Sequence, residues 1–468
     1  MASTQMIAPF CDLPLTPHAF RDYSDILPVE VLAEIFLLSL PKDTRPHPQE
    51  APLVLCHVNS FWRRTAIGTP RLWQTLCLHI PHIHCALLQN LAELIGFWFV
   101  NAAPHTVSFS LRDQGSALTR PDLDTLIPFV HRFHEFRLFT FRGLMPLTAF
   151  DAPGEHFRSL EALELNIDYQ HWALPQPRRH IFHTAPSLRR LCICGPNILE
   201  YLVFPWSQLT SLTIERDLHP SVWRTIFSQC TNLEFGSFGI DQGWEASSEA
   251  RRETDFSPHD KLEILKLRNE IDTNISFLDN FAFPNLHTFS LAAYVYQVPE
   301  LLATHDIFGQ LHHSNTLRHL VLVKVNIELL NLLSLVTSIP ALEKIALDIA
   351  EFDYKTFFDA LYASARERRS LSALTAFALC GSGVLDRAIP SFIRLIHSLR
   401  GDEQFGRLKE VSLFVWDCGD LGYALRSSVR ITTCLNDWAH SEVACLDGFT
   451  MTTGIAGEDF DIASAIHV

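Results

Sequence analysis

The stretch Thr316-Leu317-Arg318-His319-Leu320-Val321-Leu322-Val323 decides how the chain is read. Its apolar positions follow the form Leu-x-x-Leu-x-Leu. The last two alternate, as residues on one face of a β-strand do, and the first stands one short turn earlier. The same form recurs upstream as Leu160-Leu163-Leu165, Leu188-Leu191-Ile193, Leu209-Leu212-Ile214, Leu262-Leu265-Leu267 and Leu286-Phe289-Leu291. Downstream it recurs as Leu342-Ile345-Leu347, Leu374-Phe377-Leu379 and Leu408-Val411-Leu413. Successive copies are spaced by 28, 21, 53, 24, 31, 25, 32 and 34 residues. The interval of 53 holds a weaker copy at Thr231-Asn232-Leu233-Glu234-Phe235. Val107-Phe109-Leu111 and Phe136-Leu138 extend the series toward the N-terminus as worn copies.

Helix-like segments lie between these strands. Ile327 to Ser338, with Asn326 as its cap, carries Leu329, Leu330, Leu333 and Val336 on one face, and Tyr354 to Arg368 and Ala388 to Arg400 are patterned alike. One strand and one helix per 20–30 residues is the signature of a leucine-rich solenoid, in which no unit closes its own core and the units must stack. The expected fold is therefore α/β, with an irregular solenoid over 81–421 and a parallel, concave sheet. Outward strand positions offer a target-binding face of Glu164, Asn166, Thr213, Glu215, Lys266, Arg268, Val321, Val323, Asp348 and Phe414. Val321 and Val323 are the least suited to water, so a cover or an apolar contact is expected there. Gly243 to His259 reads as an exposed loop, and residues 422–468, which lose the repeat, read as a cap or tail.

Ahead of the repeats, residues 1–20 read as a proline-bearing tail and 21–80 as a small helical module. Its first helix runs from Ile26 to Leu38, with Pro28 suited to the first helical position. A proline-rich loop at 41–52 ends it, two short helices follow at Leu53 to Asn59 and Phe61 to Ile67, and Leu72 to Leu78 turns into a strand. The first helix is apolar around most of its circumference, with Glu30 and Glu34 nearly its only polar side chains. A surface helix is ordinarily apolar along one stripe. A module of roughly 50 residues is too small to bury so much of its own surface. Part of it is expected to be covered by the rest of the chain, by a second polypeptide, or by both.

Composition excludes several functions. With 37 basic against 52 acidic residues the formal net charge is −15, and the basic pairs are short and scattered, so nucleic acid is not an expected partner. Met1 to Phe20 shows no secretory pattern, and the apolar stretch Leu91 to Val100 is too short to span a bilayer and contains Glu93. Eleven cysteines without a CxxC pair fit a reducing compartment, cytoplasm or nucleus. No Walker loop, GxSxG elbow or GxGxxG is present, and no enzymatic role or cofactor is expected. His79, His82, His84 and Cys85 are the densest group of possible ligands, yet their spacing matches no standard zinc pattern and they read as surface residues. Cys192 and Cys194 share one strand face and read as lining residues, and Cys230 reads as a packing cysteine, so no metal site is expected.

Ile26 to Leu78 resembles the F-box. Leu27-Pro28-x-Glu30-Val31-Leu32-x-Glu34-Ile35-Phe36 is similar to the family's opening, and Val58…Trp62-Arg63-Arg64-x-Ala66…Thr69-Pro70-Arg71-Leu72-Trp73 to its second half. Cys56 stands earlier than the family's cysteine, and Asn59-Ser60-Phe61 fills positions that are often basic. The ladder of asparagines usual in leucine-rich repeats is missing, with Asp168, Asp217 and Glu270 among the residues at its positions. The resemblance implies a substrate receptor that binds a Skp-type adaptor, and through it cullin, while the repeats hold an unknown protein target. Adaptor contacts carried over by position are Leu27, Pro28, Val31, Leu32, Ile35, Val58, Trp62 and Leu72. The alternative is a scaffold that binds the adaptor without ubiquitin transfer.

Overall fold

Each Leu-x-x-Leu-x-Leu unit sets its last two apolar residues on a β-strand, and the strands pair in chain order. The computed structural model describes residues 27–80, 91–113, 123–140, 147, 150, 157–167, 178–195, 198–240, 257–269, 278, 281–293, 311, 315–325, 327–349, 352–368, 371–381, 385–401, 408–416 and 450–456. The first strands are β1 (Thr75–Ile80), β2 (Val107–Asp113), β3 (Phe133–Thr140), β4 (Ala162–Ile167), β5 (Arg190–Cys194), β6 (Ser211–Leu218), β7 (Phe235–Ile240) and β8 (Ser257–Pro258). They continue as β9 (Ile264–Asn269), β10 (Phe281–Ala282), β11 (Thr288–Ala293), β12 (His319–Val323), β13 (Lys344–Asp348), β14 (Ala376–Gly381), β15 (Glu410–Trp416) and β16 (Thr450–Ala456). β8 and β10 pair with each other; the other strands form one 14-stranded sheet, in which every pair is parallel and adjacent in the series. The fold class is mixed α/β.

Register converts the sequence repeat into continuous rows. Leu78, Leu111, Leu138, Leu165, Ile193, Ile214, Phe238, Leu267, Leu291, Leu322, Leu347, Leu379 and Leu413 stand opposite one another from β1 to β15. All are buried. The row two residues earlier is apolar too, save at Gly236, where the Phe238 ring would lie 2.7 Å from an added Cβ and so fills the leucine's space.

Helices cover this apolar face. Helices α1 (Val29–Leu38), α2 (Leu53–Val58) and α3 (Ser60–Ile67) precede the sheet; α4 (Leu91–Asn101), α5 (Ile198–Tyr201), α6 (Pro220–Gln229), α7 (Leu329–Ser338), α8 (Tyr354–Arg368) and α9 (Leu385–Gly401) connect its strands. Aromatic rings mark the contact: Phe99 of α4 meets Phe109 at 5.8 Å, Trp223 of α6 meets Phe238 at 5.8 Å, and Phe392 of α9 meets Phe377 at 5.7 Å. One contiguous core results, and it includes Leu32 and Phe36 of α1.

Polar side chains tie consecutive units together. In five units the residue just before the first leucine donates to a carbonyl of the preceding unit. Ser187 Oγ donates to Arg158 O at 2.9 Å and Gln208 Nε2 to Ala185 O at 2.7 Å. Asn232 Nδ2 donates to Ser207 O and Asn285 Nδ2 to Asp260 O, both at 2.6 Å, and Thr316 Oγ1 to Pro284 O at 2.9 Å. These bonds satisfy turn carbonyls that no strand partner reaches.

Several boundaries differ from the expectation. α1 begins at Val29, with Pro28 extended before it, because the missing proline N–H costs nothing there. α7 begins at Leu329 behind Glu328, and Asn326 lies outside the described residues. α9 extends from Leu385 through Gly401. His259 is buried and not part of an exposed loop, since its ring packs on Phe227 at 4.1 Å. Residues 75–80 of the helical module form the first strand of the sheet, and 450–456 of the expected tail form the last. The outer edge of β1 is partly met by the proline-rich loop, where Cys77 N donates to Thr44 O at 2.8 Å. No helix among the described residues is long and apolar enough to cross a membrane.

Candidate functional site

Two surfaces can carry function: one face of α1, and the face of the sheet opposite the helices. On α1, Leu32 and Phe36 point inward, and the Phe36 ring lies 4.9 Å from that of Trp62 on α3. Asn59 caps α3 by accepting from Trp62 N at 2.8 Å, and Arg63 Nε donates to Cys56 O at 2.7 Å, which locks α2 and α3 together. The Trp73 indole, in the turn Pro70–Trp73, donates to Ala66 O at 2.9 Å and fixes the bundle to the sheet. A 3.0 Å ion pair between Arg71 and Glu34 is solvent-exposed and adds little.

The remaining face of α1 stays bare. Leu27, just before the helix, is 38% exposed, Val31 and Ile35 are each 45% exposed, and Leu38 is 87% exposed. Spacings of four, four and three residues put these side chains on one line along the helix. Val29, Val58 and Ile67 add further exposed apolar surface.

Of the residues carried over as adaptor contacts, Leu27, Pro28, Val31, Ile35 and Val58 are exposed and Trp62 is half-buried. Leu32 and Leu72 are different: each is only 1% exposed, because they hold α1 and the Pro70–Trp73 turn in the core. They are interior packing residues and offer no contact surface. Leu38 was not among the carried-over set, although its place three residues after Ile35 extends the same stripe.

The second face of the sheet has its own register rows. One runs Cys77, Ser110, Arg137, Glu164, Cys192, Thr213, Ser237, Lys266, Ser290, Val321, Ala346, Ala378 and Ser412. Its character changes along the row. Toward the N-terminus it is polar and charged. From Val321 onward its residues are small or apolar and buried. Among the expected target residues, Glu164, Asn166, Thr213, Lys266, Arg268, Val323 and Phe414 are half-buried and Glu215 is exposed. Val321 and Asp348 are buried, 1% and 2% exposed, so they do not form part of an open face.

Charge is concentrated around Arg137, 2.8 Å from Glu135 and 3.6 Å from Glu164. The hydrogen bond that Arg137 donates to Glu135 pushes the guanidinium above its ordinary range, and burial pushes the Glu164 carboxyl up, with Arg137 opposing that shift. Beside them a shallow cleft of about 140 Å³ is lined by Glu135, Glu164, Arg190, Cys192 and Thr213 among others. Further along, His319 Nδ1 lies 3.0 Å from Thr288 Oγ1, and burial lowers its basicity.

Among the described residues, one group of three could hold a metal: Cys192, Cys194 and Glu215. His79 is exposed on β1, and His82, His84 and Cys85 lie outside the described residues. Cys230 is buried, and burial pushes its thiol up to about 12, which leaves it protonated and inert at neutral pH. In comparison with known proteins, no family model and no curated sequence matches the chain.

Proposed function

We propose that this chain is a substrate receptor of a Skp–cullin–F-box ubiquitin ligase. The observation that carries this reading is the bare stripe Leu27, Val31, Ile35 and Leu38 on α1. The first three stand where the F-box pattern has its adaptor contacts. A row of exposed aliphatic side chains on a rigidly packed helix suits helix-in-groove docking on a partner. In this reading α1–α3 are the F-box, and the strand–helix units after them are leucine-rich repeats that hold a target. The polar N-terminal part of the second sheet face, around Arg137, Glu164 and Lys266, is the target surface. The receptor supplies no catalytic group. It raises the effective concentration of a target near a ligase carried elsewhere in the complex.

The test is co-expression of the full chain with a Skp-type adaptor and cullin, followed by affinity purification with the proteasome blocked. A stoichiometric ternary complex is the expected result. A well-behaved monomer that captures neither protein would sink the proposal, and capture of the adaptor without cullin would point to the scaffold instead.

A further inference from the structure

Within the second face of the sheet, between Glu164 and Lys266 in its register row, lies a cluster with coordination chemistry. Cys192 and Cys194 alternate on β5, so both thiols emerge on the side away from the core. On β6 the residue pairing with Ile193 is Ile214, and the next residue, Glu215, comes beside Cys194. The two sulfurs are 3.8 Å apart, and the three ligand atoms lie within 4.8 Å of one another. The geometry points to a zinc site in which Cys192, Cys194 and Glu215 are the three protein ligands and the fourth position opens to solvent on the sheet face.

Distances favour a metal. Zinc–sulfur bonds of about 2.3 Å at a tetrahedral angle span an S···S edge of about 3.8 Å. The thiols therefore already stand at the separation a shared zinc ion requires. A disulfide fits less well, since residues two apart on an extended strand have Cα atoms about 6.6 Å apart, near the upper limit of about 6.8 Å for a bridge.

Charge and donor type agree. Two sulfurs and a carboxylate match a borderline-soft divalent ion and not magnesium or calcium, which take oxygen ligands. On binding, two S–H bonds break, two Zn–S bonds form, and two protons pass to solvent, so affinity rises with pH. Three protein ligands plus an open position is the arrangement of a site that accepts water or a ligand from outside. Thr213 and the cleft beside Cys192 border that position. The site stands or falls independently of the proposed ligase role.

The experiment uses the full chain, co-purified with its adaptor if that improves yield, reduced and stripped with a chelator. Titration with zinc alone is followed by native mass spectrometry, and titration with cobalt by the sulfur-to-cobalt charge-transfer absorption. One equivalent of zinc, two protons released and a tetrahedral thiolate–cobalt spectrum are expected. Cys192→Ser with Cys194→Ser abolishes the cobalt band, whereas Cys77→Ser on the same face leaves it. Glu215→Gln weakens zinc binding roughly tenfold or more, at least the effect of losing an outer-shell partner. Zinc uptake unchanged by the double substitution would overturn the assignment. So would a reduced native protein that takes up neither ion while its thiol count is intact.

Discussion

Trp73 is buried with its indole N–H donating to Ala66 O at 2.9 Å while its ring meets Trp98 edge-on at 5.0 Å. One side chain thus joins α3 to α4, the first helix covering the sheet, and Trp98 passes the contact on by donating to Thr75 O at 3.0 Å. The helical module and the sheet are therefore coupled, not beads on a linker. Trp73→Ala is expected to lower stability by about 3–5 kcal/mol, the usual loss for a core aromatic. Chemical denaturation should show one transition shifted as a whole. A separate early transition confined to the helices would contradict the coupling.

Two stripes of α1 should respond oppositely to substitution. Val31→Ser and Ile35→Ser together remove exposed surface, so stability should change by about 0.5 kcal/mol or less per site. Hydrophobic-dye binding should fall, and, if the proposed receptor role holds, capture of a Skp-type adaptor should drop at least tenfold. Leu32→Ala removes a buried side chain and should cost about 2–5 kcal/mol. Measuring thermal unfolding beside adaptor capture separates the two effects. Loss of stability in the serine pair would mean that the stripe is packed and not bare.

The strand core was legible wherever leucine filled both inward positions, as at Leu320 and Leu322, because period-2 alternation reports burial directly. It faded at β2 and β3, where Thr106 and Phe133 stand in place of the unit's first leucine, and at β7, where Gly236 and Phe238 share one filling between two positions. The N-terminal stripe was legible as excess apolarity, but not its division. Leu32 and Leu72 follow the same pattern as Val31 and Ile35, and only the packing of α1 on α3 and the Pro70–Trp73 turn separates inside from outside. On the second sheet face, alternation gives the side on which Val321 and Asp348 stand but not their burial, which leaves them 1% and 2% exposed. The Cys192–Cys194–Glu215 cluster depends on the register of β5 against β6, which no single segment encodes.

The polar ties between units predict a stability effect at residues without any role in the apolar rows. Asn232→Ala deletes the bond to Ser207 O and also the 2.6 Å contact of its Oδ1 with Lys261 Nζ. A loss of about 0.5–1.5 kcal/mol is expected for the hydrogen bond, with the exposed lysine contributing less. Asn285→Ala should lose a similar amount through Asp260 O. The two sites lie on different units, so the double variant should be additive within about 0.5 kcal/mol in urea denaturation.

His259 makes stability depend on pH in a definite direction. Its ring is packed against Phe227 at 4.1 Å and Phe281 at 5.5 Å, and burial lowers its pKa to about 4, with Asp260 opposing. In the unfolded chain the imidazole titrates at about 6.5. Between these values the unfolded state binds the extra proton, so acid favours unfolding. The neutral ring contributes its full stability above pH 6.5, and that contribution is lost as the pH falls toward 4. From pH 7 to pH 5 the loss is about 2 kcal/mol by this linkage. Asp353 and Asp359, whose carboxyls are held below their ordinary range by bonds from Thr356 and from Ser391 and Lys355, add their own losses only in stronger acid. His259→Phe keeps an aromatic ring in the cluster and has no proton to bind. Its urea midpoint should therefore fall less than that of the wild type between pH 7 and pH 5. Equal falls in the two proteins would show that the ring is hydrated or protonated in the folded state, and the packing argument at this site would fail.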